Sequence, residues 1–186
     1  GRPAHHRRGG SGNVGATNAL RVLGKRAGIA VLVIDILKGL LPVIFLGDIL
    51  SVKTSGSLND EQLRILIAVM CIVGHNWTIF LNFKGGKGMA TSLGVLIGLA
   101  TKVSGLGAAL GLSIGAWALI FSIVRIVSLA SIISAIVLPL AAVFLKLSPL
   151  LIGTSIVLSV FIIVRHKANI SRLLQGKEKK ICFRKK

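Results

Sequence analysis

The sequence predicts an all-α, polytopic integral membrane protein with about six membrane-inserted segments. Three observations lead to this fold class. Hydrophobic residues make up 53% of the 186 residues and are gathered in long runs, the mean hydropathy is +0.84, and 23 Lys and Arg face only 5 acids. A chain this basic binds either nucleic acid or a membrane. Because aromatic residues amount to 5% and Tyr is absent, the stacking surface of a nucleic-acid binder is not expected, and a membrane is favoured.

The first predicted span covers residues 27–49, which meets the length of roughly 20 residues that a helix needs to cross a bilayer. Asp35 and Lys38 lie three residues apart in this span and therefore on one helix face. An isolated charge at membrane depth is costly, so we expect the two to pair and to face the interior of the bundle. A structural ion pair is favoured over a direct contact with substrate. A polar loop, 51–61, follows the span.

Five further apolar segments are predicted: 62–83, 89–101, 103–124, 127–145 and 149–164. The first of these is interrupted at 74–77, and the second is shorter than an ordinary crossing. The third has small residues at spacing four, which permit close helix approach in lipid: Gly107, Gly111 and Gly115. Pro139 is expected to kink the fourth.

Basic residues predict the orientation of these segments. If all six cross the membrane, the N-terminal stretch, the loop around Lys87, Arg125 and the C-terminal residues share one side. Their excess of Lys and Arg marks that side as cytoplasmic. We expect one membrane-embedded domain, 1–186, with an atypical N-terminal segment, 1–9, and a solvated, mobile basic tail, 177–186. No cleavable signal peptide is visible.

A first polar cluster, GSGNVGATNALRVLG, covers residues 10–24. Its glycines satisfy GxGxxG, but no strand precedes it and no βαβ unit follows, so a dinucleotide site is rejected. If the chain is helical from Ala16, Thr17 and Arg21 share a face. The hydroxyl, amide and guanidinium groups suit a phosphate or a small polyol phosphate: Ser11, Asn13, Thr17, Asn18 and Arg21. A plain juxtamembrane loop is an equally open interpretation.

A second cluster joins GHNW at 74–77 to FKGGKGMATS at 83–92. Three of its residues, Gly85, Gly86 and Gly88, can take backbone angles that a side chain would forbid. A helix is expected to begin just after them, so free N–H groups, the helix dipole and Lys87 together predict an anion site. The P-loop pattern fails because Gly88 follows Lys87, which favours a bare phosphate over a nucleotide.

Two other residues of this cluster have open interpretations. Lys84 is either a phosphate ligand or an interfacial anchor. His75, at the helix break, is either a proton carrier or a histidine hydrogen-bonded to the backbone.

The third cluster, RHKANISR, covers residues 165–172. At helical spacing His166 and Asn169 lie together, and Arg172 continues a neighbouring stripe. A basic helix end is ordinarily a topology anchor, which does not explain the His and Asn pair. Ser128 and Ser131, near the cytoplasmic start of a span, are candidate hydroxyl donors, although N-capping is the default role for Ser128.

Several enzyme classes are excluded by the motifs. H-x-x-x-x-D, G-x-S-x-G and H-E-x-x-H are absent, and the acids are too few for a glycosidase pair or a hard-metal cage. Cys71 and Cys182 lie in an apolar run and in the basic tail, so neither a disulfide nor a Cys metal site is expected. We therefore expect no metal and no cofactor.

Taken in this order, the three clusters resemble the bacterial acyl-phosphate:glycerol-3-phosphate acyltransferase family of the PlsY type, over residues 10–180. The resemblance implies a multi-pass enzyme of the bacterial inner membrane whose active site faces the cytoplasm. It implies transfer of a fatty acyl group from acyl phosphate to the 1-hydroxyl of glycerol 3-phosphate, giving lysophosphatidic acid and phosphate. This is the first acylation step of phospholipid biosynthesis, independent of acyl-CoA and linked to the enzyme that forms acyl phosphate.

The family fold has seven helices, and the resemblance implies that the one before the first motif is missing here. Direct transfer without a covalent acyl-enzyme is expected, because acyl phosphate is already activated. The catalytic candidates are His166, Asn169, Arg21 and Lys87. The candidates for binding substrate or phosphate are Ser11, Asn13, Thr17, Asn18, Lys84, Gly85, Gly86, Gly88, His75, Ser128, Ser131, Arg172 and Glu178.

Some alternatives stay open at this point. Either His166 or a substrate phosphate is the base, and Glu178 is a nearby acid that holds an Arg or Lys. A small anion carrier is a second functional hypothesis, since interrupted helices and cationic loops suit it. A structural membrane protein with a basic lipid-binding face is a third.

Overall fold

The computed structural model describes residues 14–53, 58–83 and 85–181, and every regular element in these ranges is helical. This agrees with the predicted all-α class. The chain divides into two compact units, Gly1–Lys102 and Val103–Lys186, which are described in turn.

The first unit opens with a short hairpin of helices. Helix α1 (Ala16–Leu23) is joined to α2 (Lys25–Leu41) by Gly24 at φ 88°, a left-handed conformation that glycine adopts without steric cost. The hairpin is tight, since a Cβ at Gly28 would lie 2.7 Å from Cβ of Leu20. A π-helical turn, Pro42–Leu46, connects α2 to α3 (Gly47–Lys53), so Lys25–Val52 forms one long apolar helix of 28 residues.

The π-helical turn is stabilised from the neighbouring helix by Arg64. Widening the helix frees carbonyls from their ordinary partners, and Nη1 of Arg64 donates to the carbonyls of Val43 (2.9 Å) and Ile44 (3.3 Å). The same guanidinium contacts carboxylates of Asp48 (2.6 Å) and Asp60 (2.8 Å). A buried arginine thus joins three segments of the first unit.

Helix α4 (Asp60–Asn76) begins at a capping box in which Asn59 and Gln62 exchange hydrogen bonds. It continues through His75, so the interruption predicted at 74–77 begins only at Trp77. A 3-10 turn, Ile79–Leu81, and the glycine loop then lead to α5 (Met89–Ala100). The predicted helix start after Gly88 is confirmed.

Glycines allow α5 to lie directly against α2. A Cβ at Gly94 would collide with the Ile36 carbonyl, and one at Gly98 would lie 3.0 Å from the Val43 side chain. From the other side, a Cβ at Gly39 would lie 2.5 Å from the Thr91 carbonyl. Close backbone approach of this kind is how helices associate in a lipid environment, where the hydrophobic effect contributes little.

The second unit contains α6 (Leu106–Val124), α7 (Val127–Phe144), α8 (Pro149–Arg165) and α9 (Lys167–Leu174). Between α6 and α7, Ser113 Oγ donates to the Ser134 carbonyl at 2.9 Å, and Trp117 Nε1 donates to Ser131 Oγ at 3.3 Å. Helix α7 runs through Pro139. Helices α8 and α9 meet at an angle of 60°, so the last helix is not continuous.

Among the described residues, the α6 glycines at spacing four do not lie at a contact between helices. The buried residues of α6 are Leu106, Ala109, Leu110 and Ser113, and Ser113 contacts α7 directly. Gly107, Gly111 and Gly115 have no heavy atom of the described residues within 4 Å of the position that a Cβ would take.

Three helices are long and apolar enough to cross a membrane among the described residues: Lys25–Val52, Leu106–Val124 and Val127–Phe144. The bent pair Pro149–Arg165 and Lys167–Leu174 forms a fourth if counted as one span, and Met89–Ala100 is a shorter apolar helix. Six crossings, the single domain and the cytoplasmic position of the loops stay predictions.

Replacing Gly94 by alanine tests the packing of α5 on α2, and the same replacement at Gly111 of the second unit serves as the control. Gly94→Ala is expected to destabilise the protein by about 1–3 kcal/mol, because the new methyl group forces α5 away from the Ile36 carbonyl. Gly111→Ala is the matched control, and it should be neutral or slightly stabilising because its Cβ enters open space. Thermal unfolding in detergent measures both. A Gly94→Ala midpoint at or above that of the wild type would contradict the contact.

Candidate functional site

The glycine loop lies flat on the last turn of α4. The backbone N–H of Gly85 donates to the Asn76 carbonyl at 3.0 Å. A Cβ at Gly85 would collide with the His75 carbonyl, one at Gly86 with the His75 ring, and one at Gly88 would lie 2.7 Å from Asn76 Nδ2. Any side chain at these positions would therefore displace the loop from α4.

Backbone angles account for only part of this glycine requirement. Gly88 has φ 79° and caps α5, as the sequence predicted. Gly86 is not in the positive-φ region, so at that position the reason for glycine is its close approach to the His75 ring.

The start of α5 combines features that bind anions. Its first N–H groups follow Gly88 directly, and the positive end of the helix dipole points the same way. Thr91 and Ser92 lie in the first turn, are 0% and 2% exposed, and have hydroxyls without a hydrogen-bond partner among the described residues. Lys87 is half-buried immediately before the helix. Buried hydroxyls without a partner are unusual and suit a polar ligand.

Asp35 and Lys38 form the ion pair that the sequence predicted. Lys38 Nζ lies 2.5 Å from Asp35 Oδ1, and His75 Nδ1 lies 3.5 Å from the same oxygen. The Asp35 and His75 side chains are 10% and 7% exposed. The imidazole therefore faces a carboxylate, a contact that the sequence interpretation did not include. The signal was present: Asp35 is the acid in the middle of an apolar run.

A cavity of about 470 Å³ brings the first two clusters together in the first unit. Its lining includes Val14 from the first cluster, His75, Gly85 and Gly86 from the second, and the ion pair, with Met70, Cys71, Gly74, Thr78 and Leu81 completing the wall. The cavity is thus part polar and part apolar. That combination suits a ligand with an anionic group and an alkyl portion.

The first cluster is helical from Ala16, which is the condition under which Thr17 and Arg21 share a face. Within α1, Asn18 is buried, Thr17 is half-buried and Arg21 is exposed. Four residues named in the sequence interpretation lie outside the described residues: Ser11, Asn13, Lys84 and Cys182.

Glu178 organises the third cluster in the second unit. Its carboxylate accepts hydrogen bonds from Ser128 Oγ (2.8 Å), Asn169 Nδ2 (2.6 Å) and Arg172 Nε (2.6 Å). Burial opposes ionisation, but these three donors outweigh it, so the pKa of the Glu178 carboxyl lies below its usual value. The expectation that Glu178 holds an Arg or Lys is confirmed, and two uncharged donors are added.

His166 lies at the bend between α8 and α9 and is 3% exposed. Its Nδ1 lies 2.8 Å from the Ile162 carbonyl. A carbonyl only accepts, so Nδ1 is protonated and in the neutral ring Nε2 is the basic nitrogen. The Asn169 N–H donates to the His166 carbonyl at 2.8 Å. This backbone hydrogen bond closes a turn at the bend, so His166 and Asn169 do not lie on the one continuous helix that the spacing suggested.

Three contacts near the third cluster add to the sequence interpretation or correct it. Ile126 is the N-cap of α7, so Ser128 is not a capping residue and instead donates to Glu178. Ser131 accepts a hydrogen bond from Trp117, a residue that was not considered. The chain from Lys177 to Ile181 is held in place, since Ile181 N–H donates to the Arg125 carbonyl at 2.9 Å.

Glu178→Gln tests the role of the Glu178 charge in holding its three hydrogen-bond donors. At neutral pH the variant should lose about 2 kcal/mol, because the charged hydrogen bond from Arg172 is weakened. The pKa of Glu178 is lower in the folded protein than in the unfolded chain, where it is about 4.5. The charged carboxylate therefore stabilises the fold above about pH 4.5, and this stabilisation is lost as the pH falls through the pKa of the folded protein. The difference from the wild type in thermal unfolding should therefore shrink below about pH 4.5.

Glu61→Gln makes the same substitution at the other glutamate of the sequence and is the control for the change itself. A Glu178→Gln difference that stays constant down to pH 3 would contradict the role assigned to the charge.

Comparison with known proteins gives consistent results. The family described as "Glycerol-3-phosphate acyltransferase" matches residues 4–176. The glycerol-3-phosphate acyltransferase of Geobacter sulfurreducens is 44% identical over 169 residues, 91% of this chain and 80% of the relative. That of Fusobacterium nucleatum is 40% identical over 174 residues, 94% and 82% of the two chains.

Solved structures agree with the sequence matches. A crystal structure of PlsY (YgiH), described as an integral membrane glycerol 3-phosphate acyltransferase in its glycerol 3-phosphate form, superimposes with a TM-score of 0.81 at 35% identity. The match covers 95% of this chain and 82% of that one. The lysophosphatidic acid form gives a TM-score of 0.77. This chain therefore belongs to the glycerol-3-phosphate acyltransferase family of the PlsY type.

Proposed function

We propose that this chain transfers a fatty acyl group from acyl phosphate to the 1-hydroxyl of glycerol 3-phosphate. The observation that carries the proposal is the family match over residues 4–176. The acceptor and product are supported by the relative of known structure, which has been described in a glycerol 3-phosphate form and a lysophosphatidic acid form.

Acyl phosphate as the donor accords with the anion-binding features at the start of α5. The glycerol hydroxyl attacks the acyl carbonyl, the new C–O ester bond forms, and the C–O bond to phosphate breaks. Inorganic phosphate leaves with the bonding electron pair, and the hydroxyl proton passes to a base. Because the donor is a mixed anhydride, a covalent acyl-enzyme is not needed, and positioning and electrostatics supply the catalysis.

Each phosphate has its own group of candidate ligands in the first unit. Lys87 and the backbone of Gly85, Gly86 and Gly88 would hold one phosphate at the start of α5, with the buried hydroxyls nearby adding donors. Thr17, Asn18 and Arg21 of α1 would hold the other, together with Ser11 and Asn13. Lys84 and His75 complete the binding set.

The third cluster would act on the acceptor hydroxyl. With Nδ1 of His166 engaged by the Ile162 carbonyl, Nε2 of the neutral ring is suited to accept the hydroxyl proton. Asn169 would orient the same hydroxyl, and Glu178 fixes the Asn169 amide together with Ser128 and Arg172. Ser131 is a further hydroxyl donor in this set.

The membrane arrangement is part of the proposal. The enzyme would be a multi-pass protein of the bacterial inner membrane with its site facing the cytoplasm, on the side with the basic excess. The exposed apolar surfaces of α2, α6 and α7 suit contact with lipid and with the acyl chain.

The proposal predicts donor-dependent release of phosphate. The purified full chain with long-chain acyl phosphate and glycerol 3-phosphate should release inorganic phosphate and form lysophosphatidic acid, and neither substrate alone should suffice. Acyl-CoA in place of acyl phosphate should give no product. Lys87→Ala should lower kcat/KM by at least about 100-fold, because a cation that stabilises developing phosphate charge is lost.

Lys102→Ala is the matched control, since this lysine pairs with Asp48 (2.8 Å) away from the glycine loop. Its rate should stay near that of the wild type. Near-normal turnover in Lys87→Ala would refute the assignment of Lys87, and equal use of acyl-CoA would refute the donor. Flux of phosphate into vesicles without acyl donor would favour the anion carrier.

A further inference from the structure

Three charged or titratable side chains meet beneath the glycine loop. Asp35 lies between Lys38 Nζ at 2.5 Å and His75 Nδ1 at 3.5 Å, and both the Asp35 and the His75 side chains are almost wholly buried. Asp35 and Lys38 belong to α2, whereas His75 belongs to the last turn of α4. The acid therefore connects two helices at the depth of the proposed phosphate loop.

The imidazole of His75 has a different neighbour on each side. Its Nδ1 faces the carboxylate of Asp35. Its opposite edge, with Nε2, Cε1 and Cδ2, lies within 3.4 Å of the position that a Cβ on Gly86 would take. Rotation of the ring would open a gap under Gly86 or drive the ring into it, so the orientation of the imidazole determines where the loop backbone can rest.

We infer that Asp35 is a positioning residue for the proposed phosphate site: through His75 it fixes the backbone of Gly85 and Gly86, and so sets how tightly the loop binds a phosphate group. The inference rests on the proposed function. Lys38 neutralises the acid, and the carboxylate orients the ring.

A purely structural pair explains the arrangement less well. The Lys38 side chain is 39% exposed, and a partly exposed ion pair contributes little to stability, whereas an acid inside an apolar span is expensive. A pair of Asp35 and Lys38 alone would not need a histidine whose other edge supports the glycine loop. The adjoining cavity of about 470 Å³, lined by Asp35, Lys38 and His75 together with Gly85 and Gly86, places the trio beside the space that a ligand would occupy.

The test is a double-mutant cycle in the full chain, with inorganic phosphate as the probe. Asp35→Asn and His75→Ala should each raise the inhibition constant of inorganic phosphate by about ten- to a hundredfold, the range for one hydrogen bond to a charged group. The KM for the phosphate substrate bound at this loop should rise with it, while kcat changes much less. Asp35→Asn/His75→Ala should be no worse than His75→Ala alone, because Asp35 acts through His75.

Asp60→Asn is the matched control. It is the same substitution, and it also breaks an ion pair, with Arg64 at the other end of α4. It should lower the unfolding midpoint without changing the inhibition constant. If Asp35→Asn does not fold, Asp35→Glu keeps the charge but displaces the carboxylate by one methylene, and it should still raise the constant.

Two results would overturn the inference: additive effects in the double variant, or Asp35 variants that bind inorganic phosphate as the wild type does. Failure of the proposed function would look different, since the wild-type chain itself would then release no phosphate from the two substrates.

Discussion

The contact between the glycine loop and the last turn of α4 is the constraint on which the proposed site in the first unit depends. Gly85 and Gly86 lie so close to His75 that no side chain fits at either position. The conformation of the loop is therefore set by α4, and the loop in turn determines where α5 begins. Because α5 is in turn packed on α2 through Gly39, Gly94 and Gly98, small residues determine both the loop and the helix that presents it.

Scarce acids have a related organising role. Asp35 forms an ion pair with Lys38, and Glu178 forms one with Arg172. Asp48 and Asp60 both pair with Arg64. The chain has 5 acids and 23 Lys and Arg. The position of each acid therefore determines which basic side chains are fixed by an ion pair. Glu178 shows the consequence most clearly, since it holds Ser128, Asn169 and Arg172 at once.

Sequence reasoning predicted the helical class, the helix start after Gly88 and the pairing of Asp35 with Lys38, because each follows from local periodicity or from the cost of an isolated charge. It marked the α6 glycines as able to permit close approach, but spacing alone does not say which face of a helix meets a neighbour. It also missed the contact of His75 with Asp35 and the bend at His166. Both depend on how separate helices pack, and packing is not encoded in the period of one segment.

The most direct test of the central claim observes the loop itself. In the full chain labelled with ¹⁵N-glycine and held in detergent micelles, the backbone amide resonances of Gly86 and Gly88 can be followed during titration with inorganic phosphate and with glycerol 3-phosphate. If the loop is a phosphate cradle shaped by α4, these two resonances shift saturably, and Lys87→Ala requires at least about tenfold more ligand. Resonances that stay unmoved at substrate concentrations that support turnover would contradict this account.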